Sequence, residues 1–118
     1  MSKRLKIGIT QGDTNGVGWE IILKIFADNR MQEMFTPVVY GSSVAAAFYQ
    51  KRLSDLEPVK FVVVDSAEYA QQSRVNLVEC GKKELSVTPG KSSKAGGEAA
   101  AAALRKAIDE LKEGAIDA

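Results

Sequence analysis

Gly12, Asp13, Gly16, Gly18 and Glu20 stand close together near the N-terminus, in the stretch "KIGITQGDTNGVGWEIILK" that begins at Lys6. Glycine tolerates positive φ and lets backbone N–H groups approach a ligand, and a helix N-terminus favours negative charge. A strand that runs through such a loop into a helix therefore suits a phosphate, a carboxylate or a dinucleotide. The spacing Gly12-x-x-x-Gly16-x-Gly18 matches neither G-x-G-x-x-G nor G-x-x-x-x-G-K-[ST]. Spacing alone leaves open a tight strand-to-helix turn that holds no ligand. Asp13 and Glu20 lie at the mouth of the loop, where Glu20 complements the dipole of the helix that follows. If Gly18 allows a ligand close to the backbone, a side chain there should harm binding more than folding.

Other candidates carry less chemistry. Pro89-Gly-Lys-Ser92 imitates the end of a phosphate-binding loop, but the position where that motif needs its first glycine is Leu85. Ser92-Ser93-Lys94 contains a Ser-Lys pair, and it precedes a helix for which serine is a good N-cap. Cys80 has Lys82 and Lys83 nearby to lower its pKa, yet a small apolar role at a turn is the simpler expectation. The chain contains no histidine. That removes histidine metal ligands and Ser-His or Cys-His nucleophile pairs. Chemistry done by this chain alone would fall to carboxylates, lysines and backbone amides.

The elements that must position these residues follow from periodicity. Leu5, Ile7 and Ile9 alternate as a strand, and Ile21, Ile22, Ile25 and Phe26 recur at helical spacing, which predicts a helix over 17–27. Thr36-Pro37 reads as a break before a strand at Val38–Tyr40. Gly41-Ser42-Ser43 offers a turn and an N-cap for a helix ending near Leu53, with Val44, Ala47, Phe48 and Lys51 on one face. Val59–Val64 reads as a third strand. This alternation predicts parallel βαβ units: a three-layer αβα fold around a mostly parallel sheet. Arg74–Glu79 and Leu85–Val87, flanking Gly81-Lys82, read as a hairpin or two short edge strands. An alanine-rich helix is expected over 95–112, with Leu104, Ile108 and Leu111 as its buried stripe and Gly114 as its stop. Arg105–Asp109 and Lys106–Glu110 look like exposed pairs on that helix. Ala115–Ala118 resembles the approach to a further strand.

Composition narrows the class. Sixteen basic and fifteen acidic residues give a net charge of +1 without charge blocks, so neither a nucleic-acid nor a membrane partner is expected. At 118 residues the chain is one domain or part of one. A lone cysteine and the absence of a signal-peptide pattern lead to a cytoplasmic expectation.

The segment "IGITQGDTNGVGWEIILK" resembles the N-terminal signature ITxGDPAGIGPEI of the 4-hydroxythreonine-4-phosphate dehydrogenase family of vitamin B6 biosynthesis. More distantly it is similar to the GDGIGPE opening of isocitrate and isopropylmalate dehydrogenases. "GKSSKAGGEAAAAALRKAIDELKEGAIDA" resembles a later helix and strand entry of the first family, in the right order. Thr14-Asn15 stands where that family has Pro-Ala, and Trp19 where it has a helix-opening proline; both put subfamily and substrate in question. The resemblance implies an isocitrate/isopropylmalate dehydrogenase-like fold of which this chain is the N-terminal part only, a single incomplete α/β domain over 1–118. It implies oxidation of a small phosphorylated hydroxy acid with NAD or NADP, a divalent metal held by histidines outside this chain, and a homodimer. No catalytic residue and no metal ligand is carried over. What it assigns to this chain is the loop Gly12, Asp13, Gly16 and Gly18, near the interdomain cleft, as a cofactor-binding element. The alternatives are a D-threonate or D-erythronate 4-phosphate dehydrogenase paralogue and a non-catalytic ligand- or partner-binding module. The chain alone is expected to be inactive.

Overall fold

The computed structural model describes residues 4–81 and 85–118, so Lys82 and Lys83, invoked above beside Cys80, lie outside the described residues. Among the described residues four strands form one sheet: β1 (Lys6–Thr10), β2 (Thr36–Gly41), β3 (Phe61–Val64) and β4 (Val75–Glu79). Their spatial order is β1-β2-β4-β3, and every pairing is parallel. The helices are α1 (Gly18–Phe26), a single turn α2 (Met31–Met34), α3 (Ser43–Arg52) and α4 (Lys94–Glu113), with a 3-10 turn at Ala67–Tyr69. Trp19, Ile22, Leu23 and Phe26 of α1 and Ala45, Ala46 and Tyr49 of α3 share one core with Val39, Val75 and Leu77. Ala103 and Ala107 of α4 share a second core with Val38, Tyr40, Val78 and Ile116. The helices therefore cover opposite faces of a parallel sheet, which is the expected three-layer α/β arrangement.

Pro37 is not a break before β2 but part of it, paired with Ile7. The backbone N of Thr36 donates to Leu5 on the β1 side, so the next residue's nitrogen points the other way, toward β4. There the ladder begins only at Val38, opposite Asn76, so the missing N–H of Pro37 forfeits no strand pairing.

The hairpin expectation fails. Val75–Glu79 is an interior parallel strand between β2 and β3, and residues 85–87 form no strand. Val75, Asn76, Leu77 and Val78 are all buried, as a strand covered on both faces demands. The polar member, Asn76, is absorbed at the strand's entrance. Its Nδ2 donates to the carbonyls of Pro37, Gln71 and Arg74, and its Oδ1 accepts from Gln71 N.

Three helix faces also differ from expectation. In α1, Ile22 and Phe26 are buried together with Trp19 and Leu23, while Ile21 and Ile25 are exposed. In α4 the residues turned inward are Gly96, Ala99, Ala103, Ala107 and Glu110, and Leu104, Ile108 and Leu111 are exposed. Small side chains let the helix axis approach the sheet closely, whereas leucines would hold it away. In α3, Ser42 is the N-cap that the Gly41-Ser42-Ser43 stretch offers, and Ala45, Ala46 and Tyr49 are the buried set instead of the face containing Val44 and Ala47.

Lys106–Glu110 is a pair at the core's edge rather than on the surface. Glu110 is almost wholly buried and accepts from Tyr40 Oη at 2.7 Å and from Ala67 N at 2.9 Å, while Lys106 Nζ lies 3.3 Å from its other oxygen. Burial pushes its carboxyl up, but the hydrogen bonds from Ala67 N–H and Tyr40, with Ser66 and Lys106, outweigh this and hold its pKa below the ordinary value. Gly114 ends α4 in the left-handed region at φ 82°. The chain then turns along the outer edge of β1. Asp117 N donates to Lys6 O, and Gly8 N donates to Ala118 O.

Candidate functional site

The loop between β1 and α1 lies at the carboxyl end of the sheet, the end where open α/β sheets bind ligands. Two buried amides organise it. Gln11, the first residue after β1, is fully buried. Its Oε1 accepts from Trp19 Nε1 at 2.9 Å and from Ser42 N at 2.8 Å, and its Nε2 donates to Ala99 O at 3.3 Å. One side chain thereby ties α1, the end of β2 and the start of α4 together. Trp19, which stands where the resembling family has proline, presents its ring to the core against Phe61 and not to the loop's mouth.

Asn15 joins two loops. Its Oδ1 accepts from Thr88 N at 2.8 Å, and its Nδ2 donates to Lys91 O at 2.9 Å and Ser93 Oγ at 3.0 Å. Its backbone carbonyl accepts from Gly90 N at 2.7 Å. The Pro89-Gly-Lys-Ser92 segment is thus a turn held against the glycine loop, with no strand leading into it. Ser93 also caps α4 by accepting from Gly96 N at 3.0 Å, the capping role read from the sequence. The roles of Gln11 and Asn15 were missed in the sequence. Their only signal is two uncharged amides flanking glycines in a loop, and their partners are remote in the chain.

Of the residues assigned from the sequence, Gly12 alone has both positive φ, at 71°, and open space where a Cβ would stand. Asp13 is exposed, and its Oδ1 accepts from Asn15 N at 2.8 Å. Gly16 N donates to Asp13 O at 2.9 Å, which closes the turn. Gly18 is the first residue of α1, and a Cβ there would lie 2.2 Å from the carbonyl oxygen of Gln11. The close approach that Gly18 permits is to the chain's own backbone. Thr14 is buried and gives its carbonyl to Tyr49 Oη at 2.6 Å.

The N-terminus of α1 differs from those of α3 and α4. Ser42 and Ser93 cap the latter two with their side chains, whereas Val17 at the start of α1 makes no side-chain cap. The N–H groups of its first turn are therefore not engaged by a capping side chain. Among the described residues no three histidine, cysteine, aspartate or glutamate side chains come together to hold a metal. Cys80 is a half-buried thiol donating to Val78 O, and burial pushes its pKa up to about 11, opposite to an activated thiolate.

The family model described as pyridoxal phosphate biosynthetic protein PdxA matches residues 33–118. The chain belongs to that family. Its N-terminal loop precedes the matched range but is included in the alignment to a PdxA relative, the 4-hydroxythreonine-4-phosphate dehydrogenase of Bacteroides thetaiotaomicron. That relative is 45% identical over 97% of this chain and 31% of its own length. A putative D-threonate 4-phosphate dehydrogenase of Oceanobacillus iheyensis is 33% identical over the whole chain and 36% of its own length. Among solved structures, a 4-hydroxythreonine-4-phosphate dehydrogenase from Burkholderia phymatum superposes with a TM-score of 0.82 at 24% identity, over 98% of this chain and 35% of that one. The chain thus spans about a third of the length of the PdxA relatives it matches. The fold they share is the parallel α/β arrangement described above.

Proposed function

We propose that the full-length protein is a dehydrogenase that oxidises 4-hydroxythreonine 4-phosphate with NAD or NADP and a divalent metal, as a cytoplasmic homodimer. The observation that carries this reading is the 45% identity to a 4-hydroxythreonine-4-phosphate dehydrogenase, sustained over nearly the whole chain. When bound, the nicotinamide would accept the hydride removed from the substrate's alcohol carbon. The contribution of this chain is positional. Gly12, with its open left-handed backbone, and the uncapped first turn of α1 fit an anionic group of the cofactor. The Asp13 carboxylate can only accept hydrogen bonds, which suits a hydroxyl and repels phosphate. Gly16 and Gly18 shape the loop. The described residues do not fit a metal, so its ligands must come from elsewhere in the longer polypeptide.

A second reading, D-threonate 4-phosphate oxidation, is favoured by the relatives of that name at 33% and 30% identity. Full-length protein assayed for NAD(P) reduction with each of the two phosphorylated substrates separates the readings by their kcat/KM. Reduction with neither substrate would overturn both.

A further inference from the structure

Helix α4 carries its large apolar residues on the wrong side for its own sheet. Gly96, Ala99, Ala103 and Ala107 face inward, while Leu104, Ile108 and Leu111 are 52%, 42% and 46% exposed. With exposed Gly97 and Ala101 they follow a spacing of four, three, four and three residues, the seam that a second helix packs against. The side of α4 that bears this seam follows from its surroundings. Ala95, Glu98 and Ala102 line a cavity of about 270 Å³ with Cys80 and Gly81 just past β4. Leu104, Ile108 and Leu111 lie on the opposite flank of the same helix, toward β1. Along that edge Asp117 N already bonds Lys6 O, and Gly8 N bonds Ala118 O, in the sense of a further parallel strand. Connections between parallel strands are right-handed, so one continuing outward from this edge sets its helix on the α4 face, beside the seam.

We propose that Leu104, Ile108 and Leu111 form the docking seam for a helix from the same polypeptide, within the two-thirds of the PdxA relatives' length that lies outside this chain. The seam's inner margin is small, with Ala100, Ala107 and Gly114, which allows close approach. Its outer margin carries Arg105 and Lys112, which favours acidic residues on the docking helix. A second copy of the chain is a poorer occupant. Antiparallel self-pairing on this seam would bring the two Arg105 side chains together at its centre.

The test uses the full-length gene product with Leu104→Cys, Ile108→Cys and Leu111→Cys made singly, and thiol alkylation read peptide by peptide so that Cys80 is scored separately. The expected result is alkylation slowed at least about tenfold in the folded protein relative to the same variant in urea, independent of protein concentration. Carbene footprinting of the unsubstituted protein provides the same reading without a mutation, and low labelling of the seam is expected. Equal reactivity in the folded and unfolded protein would overturn the proposal. So would protection that disappears on dilution, which would assign the seam to a second copy, or a reading frame that stops at Ala118.

Discussion

Alanine at position 18 would place its Cβ 2.2 Å from the carbonyl oxygen of Gln11, and that carbonyl belongs to a residue held at three points by its side chain. Neither partner can move without breaking the Gln11 hub. Gly18→Ala should therefore cost about 1–3 kcal/mol of stability, read as a lower melting temperature, whatever ligand is present. Gly12→Ala meets no atom within 4 Å but must hold φ near 71°, so it should cost about 1 kcal/mol. If the loop binds cofactor, Gly12→Ala should raise KM for NAD(P) in the full-length enzyme more than Gly18→Ala does in whatever fraction folds. An unchanged melting temperature for Gly18→Ala would contradict the packing argument. Glu110 makes a pH prediction. Its folded pKa lies below the ordinary value of 4.5, so its contribution is present above that pH and is lost as pH falls through the folded value. Glu110→Gln should destabilise by about 1–3 kcal/mol at neutral pH, because Tyr40, Ala67 N–H and Lys106 lose a charged acceptor. Thermal melts from pH 7 downward should show the gap between wild type and variant narrowing below about pH 4.5. A constant gap would mean that the carboxylate's charge contributes nothing.

At the scale of elements, α4 combines a strong start, a strong stop and a narrow inner face. Ser93 caps its first turn and also receives Asn15 Nδ2, so one hydroxyl links the helix N-terminus to the glycine loop. Ser93→Ala should cost about 1 kcal/mol through the lost cap. Hydrogen exchange should report faster exchange at Gly96 N and greater freedom of the 88–92 turn, while the β2 and β4 amides stay protected. Ser42→Ala is the matched comparison, since Ser42 caps α3 through Ala45 N at 3.2 Å without touching the 88–92 turn. Equal loosening of that turn in both variants would argue against a specific link through Ser93.

For the molecule as a whole, the glycine loop, its two amide hubs and an uncapped helix start lie together at the carboxyl end of the sheet, and among the described residues no three metal-ligating side chains come together. The protein of 118 residues by itself should therefore show no metal-dependent NAD(P) reduction with either phosphorylated hydroxy acid, while the full-length protein does. A spectrophotometric assay for the reduced nicotinamide, run long enough to detect turnover far below the roughly 10 s⁻¹ typical of enzymes, decides the matter. Activity of the short chain clearly above a buffer control would mean that the catalytic groups lie within it.

Local pattern was enough to locate β1, β2, β3, α1 and α3, though not the entry of β2 through Pro37 or the buried faces of the helices, and to find the Gly114 stop and the Ser93 cap, because each depends on residues close in sequence. The family, too, was legible in two motifs and their order. The parallel placement of β4 was not, since its pairing with β2 and β3 rests on partners distant in the chain, and the nearby Gly81 imitates a hairpin turn. Tertiary packing likewise decided which stripe of α4 turns inward. Periodicity marks Leu104, Ile108 and Leu111 as apolar, but only the closeness of β1 and β2 selects Ala99, Ala103 and Ala107 to face the sheet. In the candidate site, sequence located the glycines, and the fold revealed that Gly18 makes room for Gln11 while Gly12 remains open. An amide's hydrogen-bond partners are set by where the chain returns in space, and for Gln11 and Asn15 those partners lie up to 88 residues away.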